Sequence, residues 1–236
     1  MSTLENSVVF LTGADGGIGR AFIGELIQRK AKKIYITGIN LEALTEIASA
    51  MPEKLFPLKL DVTNIKDIEN CISNCPDVTV LINNAGVELK SSFIGEKSAD
   101  CAQFEMQINY VGVVRLTNSF YEILKSNANS AVINILSVGS LVLINRLATY
   151  CASKAAAHMF TQSIRKEFHE NGVKVFGVYA GYVDTAMSAD LEIEKISAEE
   201  LLQNVCDDVE ADIYSIFPDK MSKNYSESNK LSLDFI

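Results

Sequence analysis

The 236-residue sequence predicts an α/β fold, a doubly wound parallel sheet of about seven strands with helices on both faces. Three observations carry this reading. Short apolar runs such as Val8-Val9-Phe10-Leu11 suit strands buried on both faces, as parallel sheets require. Between them lie longer stretches with apolar residues at helical spacing, so that strand and helix alternate along the chain. Directly after the first run comes Thr12-Gly13-Ala14-Asp15-Gly16-Gly17-Ile18-Gly19, a glycine-rich turn of the kind that joins a strand to a helix. No internal repeat or low-complexity linker interrupts the pattern, so residues 1–236 are expected to form one domain.

The elements follow in order. After the strand Val8–Leu11 and the glycine turn, Phe22, Ile23, Leu26 and Ile27 mark one face of a helix from Arg20 to Arg29. Glycines allow close backbone approach and a helix N-terminus attracts a pyrophosphate. This start therefore points to a bound dinucleotide, with Gly13, Gly17, Ile18 and Gly19 as contacts. The second strand, Ile34–Thr37, ends where an acidic residue would read ribose hydroxyls and an arginine would read a 2′-phosphate. The chain has Gly38, Ile39 and Asn40 there, with Asn40 the polar candidate. Asp15 in the turn would repel a phosphate, which favours NAD over NADP.

A helix is expected over Leu41–Ala50, a strand over Leu55–Leu60 and a turn at Asp61-Val62-Thr63. Asp61 has two equal readings, binding an adenine amino group beside Val62 or capping the helix Ile65–Cys75. The strand Val78–Ile82 ends in Asn83-Asn84-Ala85-Gly86, at the strand edge where ligands sit in parallel sheets. Asp100–Leu124 has a helical period interrupted near Asn109 and Gly112. Asn109, between Ile108 and Val111, is a core kink or a site residue. Ala131–Leu136 is a strand ended by Ser137, and Leu141–Ile144 an apolar loop. A helix from about Thr149 to Asn171 precedes the strand Val173–Tyr179 and the segment Ala180-Gly181-Tyr182-Val183-Asp184-Thr185. A last helix over Ala198–Val209 and a short strand near Ile213–Phe217 complete the alternation. Ser222–Asn229 reads as a polar, mobile tail, and the apolar Leu231–Ile236 as a segment that docks on a partner subunit.

Composition narrows the function. With 21 Lys and Arg against 30 Asp and Glu, the net charge of −9 argues against nucleic acid or an anionic membrane as partner. No run of eighteen apolar residues occurs and no secretory leader begins the chain, so a soluble cytoplasmic protein is expected. The cysteines at 71, 75, 101, 151 and 206 lack paired spacing and read as packing residues, with no metal site. His158 and His169 read as structural.

Tyr150 and Lys154 lie four residues apart on the long helix, hence on one face. A free tyrosine titrates near pH ~10, and a nearby cation favours its phenolate. The pair suits a tuned acid/base; taken alone it also suits a chance surface pair.

The motifs together resemble the short-chain dehydrogenase/reductase family in its short, single-domain branch, over nearly the whole chain. Thr12-Gly13 with Gly17 and Gly19 matches its TGxxxGxG turn, Asn83–Gly86 its NNAG, Asn109 its helix asparagine, Ser137 its serine, and Tyr150 with Lys154 its YxxxK. The resemblance implies a Rossmann-type sheet, an NAD or NADP cofactor, a small carbonyl or alcohol substrate, and a homodimer or homotetramer. It implies Tyr150 as acid or base, Lys154 as stabiliser of the phenolate and holder of the nicotinamide ribose, Ser137 as donor to the substrate oxygen, and Asn109 as anchor of a proton-carrying water. Asn84, Ala85, Gly86, Gly181, Val183 and Thr185 would contact the cofactor. One departure is Ala180 where the family has proline before Gly181, from which a looser loop is expected; the other is the missing charge at Gly38 and Ile39.

Val138, Leu143, Tyr182 and Met187 are expected to line a mostly apolar substrate pocket, with residues 186–200 as a short lid, chiefly Ala186–Ser197. Glu88 and Arg146 could lie at its mouth. A hydrophobic carbonyl or secondary alcohol follows. The competing reading is a regulatory protein that senses cofactor redox state without chemistry, which need not keep Tyr150, Lys154, Ser137 and Asn109 together. An epimerase or dehydratase suits the length and glycine spacing less well.

Overall fold

A computed structural model describes residues 3–229. Seven parallel strands form one sheet in the order β3-β2-β1-β4-β5-β6-β7. They are β1 (Val8–Thr12), β2 (Lys33–Gly38), β3 (Leu55–Lys59), β4 (Val80–Asn83), β5 (Ser130–Ile135), β6 (Val173–Val178) and β7 (Ser215–Ile216). Every residue of β1, β4 and β5 is buried, which explains their largely apolar character. The strand order reverses between β1 and β4, and their carboxyl ends part there to leave a crevice.

Helices cover both faces: α1 (Gly17–Gln28), α2 (Leu41–Ser49), α3 (Ile65–Asn74), α4 (Ser98–Met106), α5 (Val113–Ser126), α6 (Ala148–Glu170), α7 (Ala198–Glu210) and α8 (Lys220–Asn229). Phe22 and Leu26 of α1, Leu44 of α2 and Leu202 and Val205 of α7 form one core layer. Ile68 of α3, Leu116 and Phe120 of α5, and Ile164 and Phe168 of α6 form the other. Burying each such side chain contributes about 1.5–3 kcal/mol. A polar ladder crosses the second layer: Asn83 Nδ2 donates to Thr117 Oγ1 (3.1 Å) and Asn134 Oδ1 (2.8 Å), and Asn134 Nδ2 to Thr161 Oγ1 (2.9 Å). It ties β4 and β5 to the helices that carry the site.

Four local expectations change. Helix α1 begins at Gly17, inside the glycine run, because Gly19 is helical and packs on the turn itself. The interruption near Asn109 is one wide π-helical segment, Gln107–Gly112, that joins α4 to α5. Asp61 does not cap α3; Asn64 does, accepting from Lys66 N at 3.0 Å. Ser222–Asn229 is part of a helix. Asp219 Oδ1 accepts from Ser222 N (2.9 Å) while Ser222 Oγ accepts from Asp219 N (3.1 Å), a reciprocal cap that starts α8. Tyr225 Oη then donates to the Leu141 carbonyl at 3.1 Å, which holds the helix against the body. The segment Leu231–Ile236 lies outside the described residues. No helix among those described is long and apolar enough to cross a membrane.

Candidate active site

The crevice starts at the turn after β1. Gly13 has φ +62°, a left-handed conformation that favours glycine. A Cβ on Gly19 would stand 2.2 Å from the Gly13 carbonyl oxygen, so α1 can pack this closely only without a side chain there. Thr12 Oγ1 accepts from the amides of Asn84 and Ala85, both at 2.9 Å. Asn84 Nδ2 donates to the carbonyls of Thr12 (2.8 Å) and Gly13 (3.0 Å). These bonds fix the glycine turn and the Asn83–Gly86 segment as one rigid wall. No side chain caps α1, so its first amides and positive dipole end remain available to an anion.

Gly13, Asp15, Gly17, Ile18, Gly19, Asp61, Val62, Asn84, Ala85, Gly86 and Thr185 line this cleft. Asp61 Oδ1 accepts from Thr63 N (2.8 Å) and Thr63 Oγ1 (2.7 Å) in a local turn. Asn40 is not in the lining; its side-chain oxygen caps α2 by accepting from Ala43 N at 3.1 Å. The Asp15 carboxylate lies against Gly38, where a Cβ would be 2.6 Å from Oδ1, and the lining contains no lysine or arginine.

A second cavity adjoins the first, sharing Ile18, Asn84, Gly86, Thr185 and Met187 with it. Ser137, Tyr150, Lys154, Gly181, Tyr182 and Val183 line it. Two expected lining residues lie elsewhere. Val138 is buried with its amide donating to the Ala180 carbonyl (2.9 Å), and Leu143 is exposed on the surface loop. Ile144, Leu147, Leu191 and Met221 take their place, and Glu88 joins them, whereas Arg146 is exposed outside the lining.

Ser137 sits at the end of β5 and caps a short 3-10 turn. Its Oγ accepts from Gly139 N at 3.0 Å, leaving its own proton to donate elsewhere. Lys154 is buried and its Nζ donates to the Ile135 carbonyl at 2.7 Å. Burial alone pulls its pKa down from 10.5 to about 8. The ammonium stands 5.8 Å from the centroid of the Tyr150 ring. Tyr150 does not have the depressed pKa expected from its lysine neighbour. Burial pushes it up, the Glu88 charge adds to that, and a hydrogen bond with Ser137 opposes it. In the protein by itself Tyr150 is a phenol at neutral pH, the form of a proton donor.

Asn109 is buried in the π-helical segment. Its Oδ1 accepts from Val87 N (2.9 Å), and its Nδ2 donates to the Val87 carbonyl and to Ser153 Oγ, both at 2.9 Å. A Cβ on Gly86 would lie 3.2 Å from Asn109 Oδ1 and 3.6 Å from Lys154 Nζ, so glycine at 86 keeps the space between them open. The loop at Ala180-Gly181 is not loose. Gly181 N donates to Asp219 Oδ2 at 2.7 Å, and this carboxylate substitutes for the rigidity a proline would bring. Asp219 was legible only as the D-x-x-S pattern that begins α8.

Residues 7–195 match the sequence model of the family described as short chain dehydrogenase. An NADP-dependent 3-hydroxy acid dehydrogenase of Schizosaccharomyces pombe is 29% identical over 196 residues, 80% of this chain and 76% of its own length. An uncharacterized oxidoreductase of Staphylococcus epidermidis is 31% identical over 213 residues, 89% of this chain and 91% of its own. A short chain dehydrogenase from Burkholderia cenocepacia, crystallised with NADP, superimposes with a TM-score of 0.91 at 30% identity, covering 98% of this chain and 95% of its own.

Proposed function

The chain belongs to the short chain dehydrogenase family, and from that premise we propose that it interconverts a carbonyl and a secondary alcohol with a nicotinamide cofactor, Tyr150 carrying the proton. The observation that carries this reading is the convergence of Ser137, Tyr150 and Lys154 on a cavity that opens directly onto the glycine-walled cleft.

A dinucleotide fits that cleft. Its volume is about 420 Å³, against about 110 Å³ for the adjoining cavity, so the larger space suits the cofactor and the smaller one the substrate. Gly13, Gly17 and Gly19 and the uncapped end of α1 would receive the pyrophosphate, and Asp61 and Val62 would flank the adenine. Tyr150, Lys154, Gly181, Val183 and Thr185 would hold the nicotinamide end. When bound, the nicotinamide supplies the hydride chemistry. NAD is the proposed form, because Asp15 faces Gly38 and no lining cation could neutralise a 2′-phosphate. NADP in the S. pombe and Burkholderia proteins argues the other way, and separate titrations with each cofactor decide.

The residues divide the remaining work. Tyr150 gives its phenolic proton to the carbonyl oxygen as the alcohol forms, and in the reverse direction its phenolate takes that proton back. Ser137 donates to the same oxygen, where negative charge develops. Lys154 stabilises the phenolate left behind. The gap that Gly86 keeps between Asn109 and Lys154 gives the proton a path back to the site. Ile144, Leu147, Leu191 and Met221 make the walls apolar and favour a hydrophobic substrate. Residues 186–200 serve as a short lid whose base is closed by Ile196 N donating to the Tyr182 carbonyl (3.0 Å) and Asp184 N to the Ile196 carbonyl (2.8 Å).

Tyr150→Phe tests the assignment. It should lower kcat/KM by about 10²–10⁴-fold while cofactor affinity, measured by fluorescence titration, persists. Turnover by the phenylalanine variant equal to wild type would overturn it.

A further inference from the structure

We infer that Glu88 sets the substrate class: its carboxylate selects carbonyl or alcohol substrates bearing a hydrogen-bond donor, an amine or a hydroxyl, over substrates bearing a carboxylate. This rests on the oxidoreductase reading above and refines its apolar pocket.

Four observations lead there. Among the residues lining the cavity, Glu88 carries the one carboxyl group and Lys154 the one amine, and the Lys154 Nζ donates to the Ile135 carbonyl at 2.7 Å. Glu88 is half-buried, and among the described residues its carboxylate has no hydrogen bond or ion pair. The nearest cation on its own segment, Lys90, is bonded to Asp190. Behind the same segment Glu105 is fully buried; its Oε1 accepts from Leu89 N at 2.8 Å and its Oε2 has no partner.

The wall beside Tyr150 therefore carries a carboxylate that no cation among the described residues pairs with directly. Burial pushes the Glu88 carboxyl up, with Glu105 and Asp190 adding to the shift against the opposing pull of Lys90. A half-buried acceptor without a donor is costly, and a donor arriving on the substrate removes that cost. A substrate carboxylate would instead meet a like charge, with no arginine in the lining to receive it. Arg146 is exposed and outside the cavity.

The test uses the full-length protein with its cofactor and four ketones of one carbon skeleton: unsubstituted, hydroxyl-bearing, amine-bearing and carboxylate-bearing. For wild type, kcat/KM for the amine-bearing ketone should exceed that for the carboxylate by about tenfold or more. The isosteric E88Q should reduce that ratio about tenfold, and E88D should keep its sign. Taking the ratio within each protein removes any general loss of activity caused by the substitution. A ratio unmoved in E88Q, or a wild-type preference for the carboxylate, overturns the inference. Turnover of the unsubstituted ketone with an unmoved ratio sinks the Glu88 role and leaves the oxidoreductase reading standing. No turnover of any of the four sinks both. A hydroxyl-bearing ketone preferred as strongly as the amine identifies hydrogen bonding, and an amine preferred alone identifies charge; either supports the proposal.

Discussion

The two halves of the crevice are built differently. The cleft half is made of backbone: Gly13 in a left-handed conformation, Gly19 with no room for a side chain, and Asn84 and Thr12 bonded to main-chain atoms. The cavity half is made of side chains brought in from separate segments, Ile144 and Leu147 before α6, Leu191 before α7, and Met221 from α8. The cleft half is thus set by constraints local to a few residues, and the cavity half by how distant segments dock. A cofactor common to many reactions suits the first arrangement, and a particular substrate suits the second.

The sharpest way to break this contrast is Gly19→Ala. Its new Cβ would fall 2.2 Å from the Gly13 carbonyl oxygen, so turn and helix must separate. Cofactor affinity should drop by about a hundredfold, with a stability loss of about 1–3 kcal/mol read from urea unfolding. Unchanged affinity would mean that the glycine wall does not hold the cofactor.

Lys154→Met probes the junction of the halves. Burial holds the folded-state pKa of Lys154 at about 8, below the unfolded 10.5. The folded protein therefore bears this cost in full below pH 8 and is relieved of it as pH rises towards 10.5. Activity should collapse, yet the variant should be more stable than wild type by about 1–3 kcal/mol at neutral pH. That advantage should shrink across the same pH window, and a constant difference from pH 6 to about 10.5 would contradict the shift.

Asp219→Ala acts mainly on the cavity half, through the Gly181 loop. It frees Gly181 N and uncaps α8, for a stability loss of about 0.5–2 kcal/mol. KM for the ketone should rise several-fold and cofactor affinity should fall by less, since Gly181 would touch the nicotinamide end alone; equal losses of both would erase the distinction between the halves.

The same contrast explains what was legible in the sequence. The strands β1, β4 and β5, the glycine turn, and the spacing of Tyr150 and Lys154 follow from local periodicity and from steric demands that only glycine meets. Asn109 stood out because an amide among apolar residues needs partners, which turned out to be Val87 and Ser153. Val138 and Leu143 were misplaced because nothing in an apolar loop tells which residue turns inward; Ile144 does and Leu143 does not. The helix α8 was hidden because its polar sequence is a poor helix signal, and its start depends on an Asp219 that also holds Gly181 from the far end of the fold. Asn40 was read as a cofactor contact although the same residue is a good N-cap, and the cap took it.

The upward shift of Tyr150 also follows from docking. Lys154 is close in sequence, but its ammonium turns to the Ile135 carbonyl, while burial first and then the charge of Glu88, from another segment, push the phenol up. Helical spacing placed the pair on one face without deciding which neighbour would dominate.

The most direct test of the central claim is a single-turnover mixing experiment. Protein preloaded with reduced nicotinamide cofactor is mixed with excess hydrophobic ketone, and the reduced-cofactor absorbance is followed alongside alcohol formation. The account predicts loss of one equivalent of reduced cofactor per site and one equivalent of alcohol. Tight cofactor binding with no loss of absorbance across a broad panel of ketones would contradict it and make the protein a binder of the cofactor without chemistry.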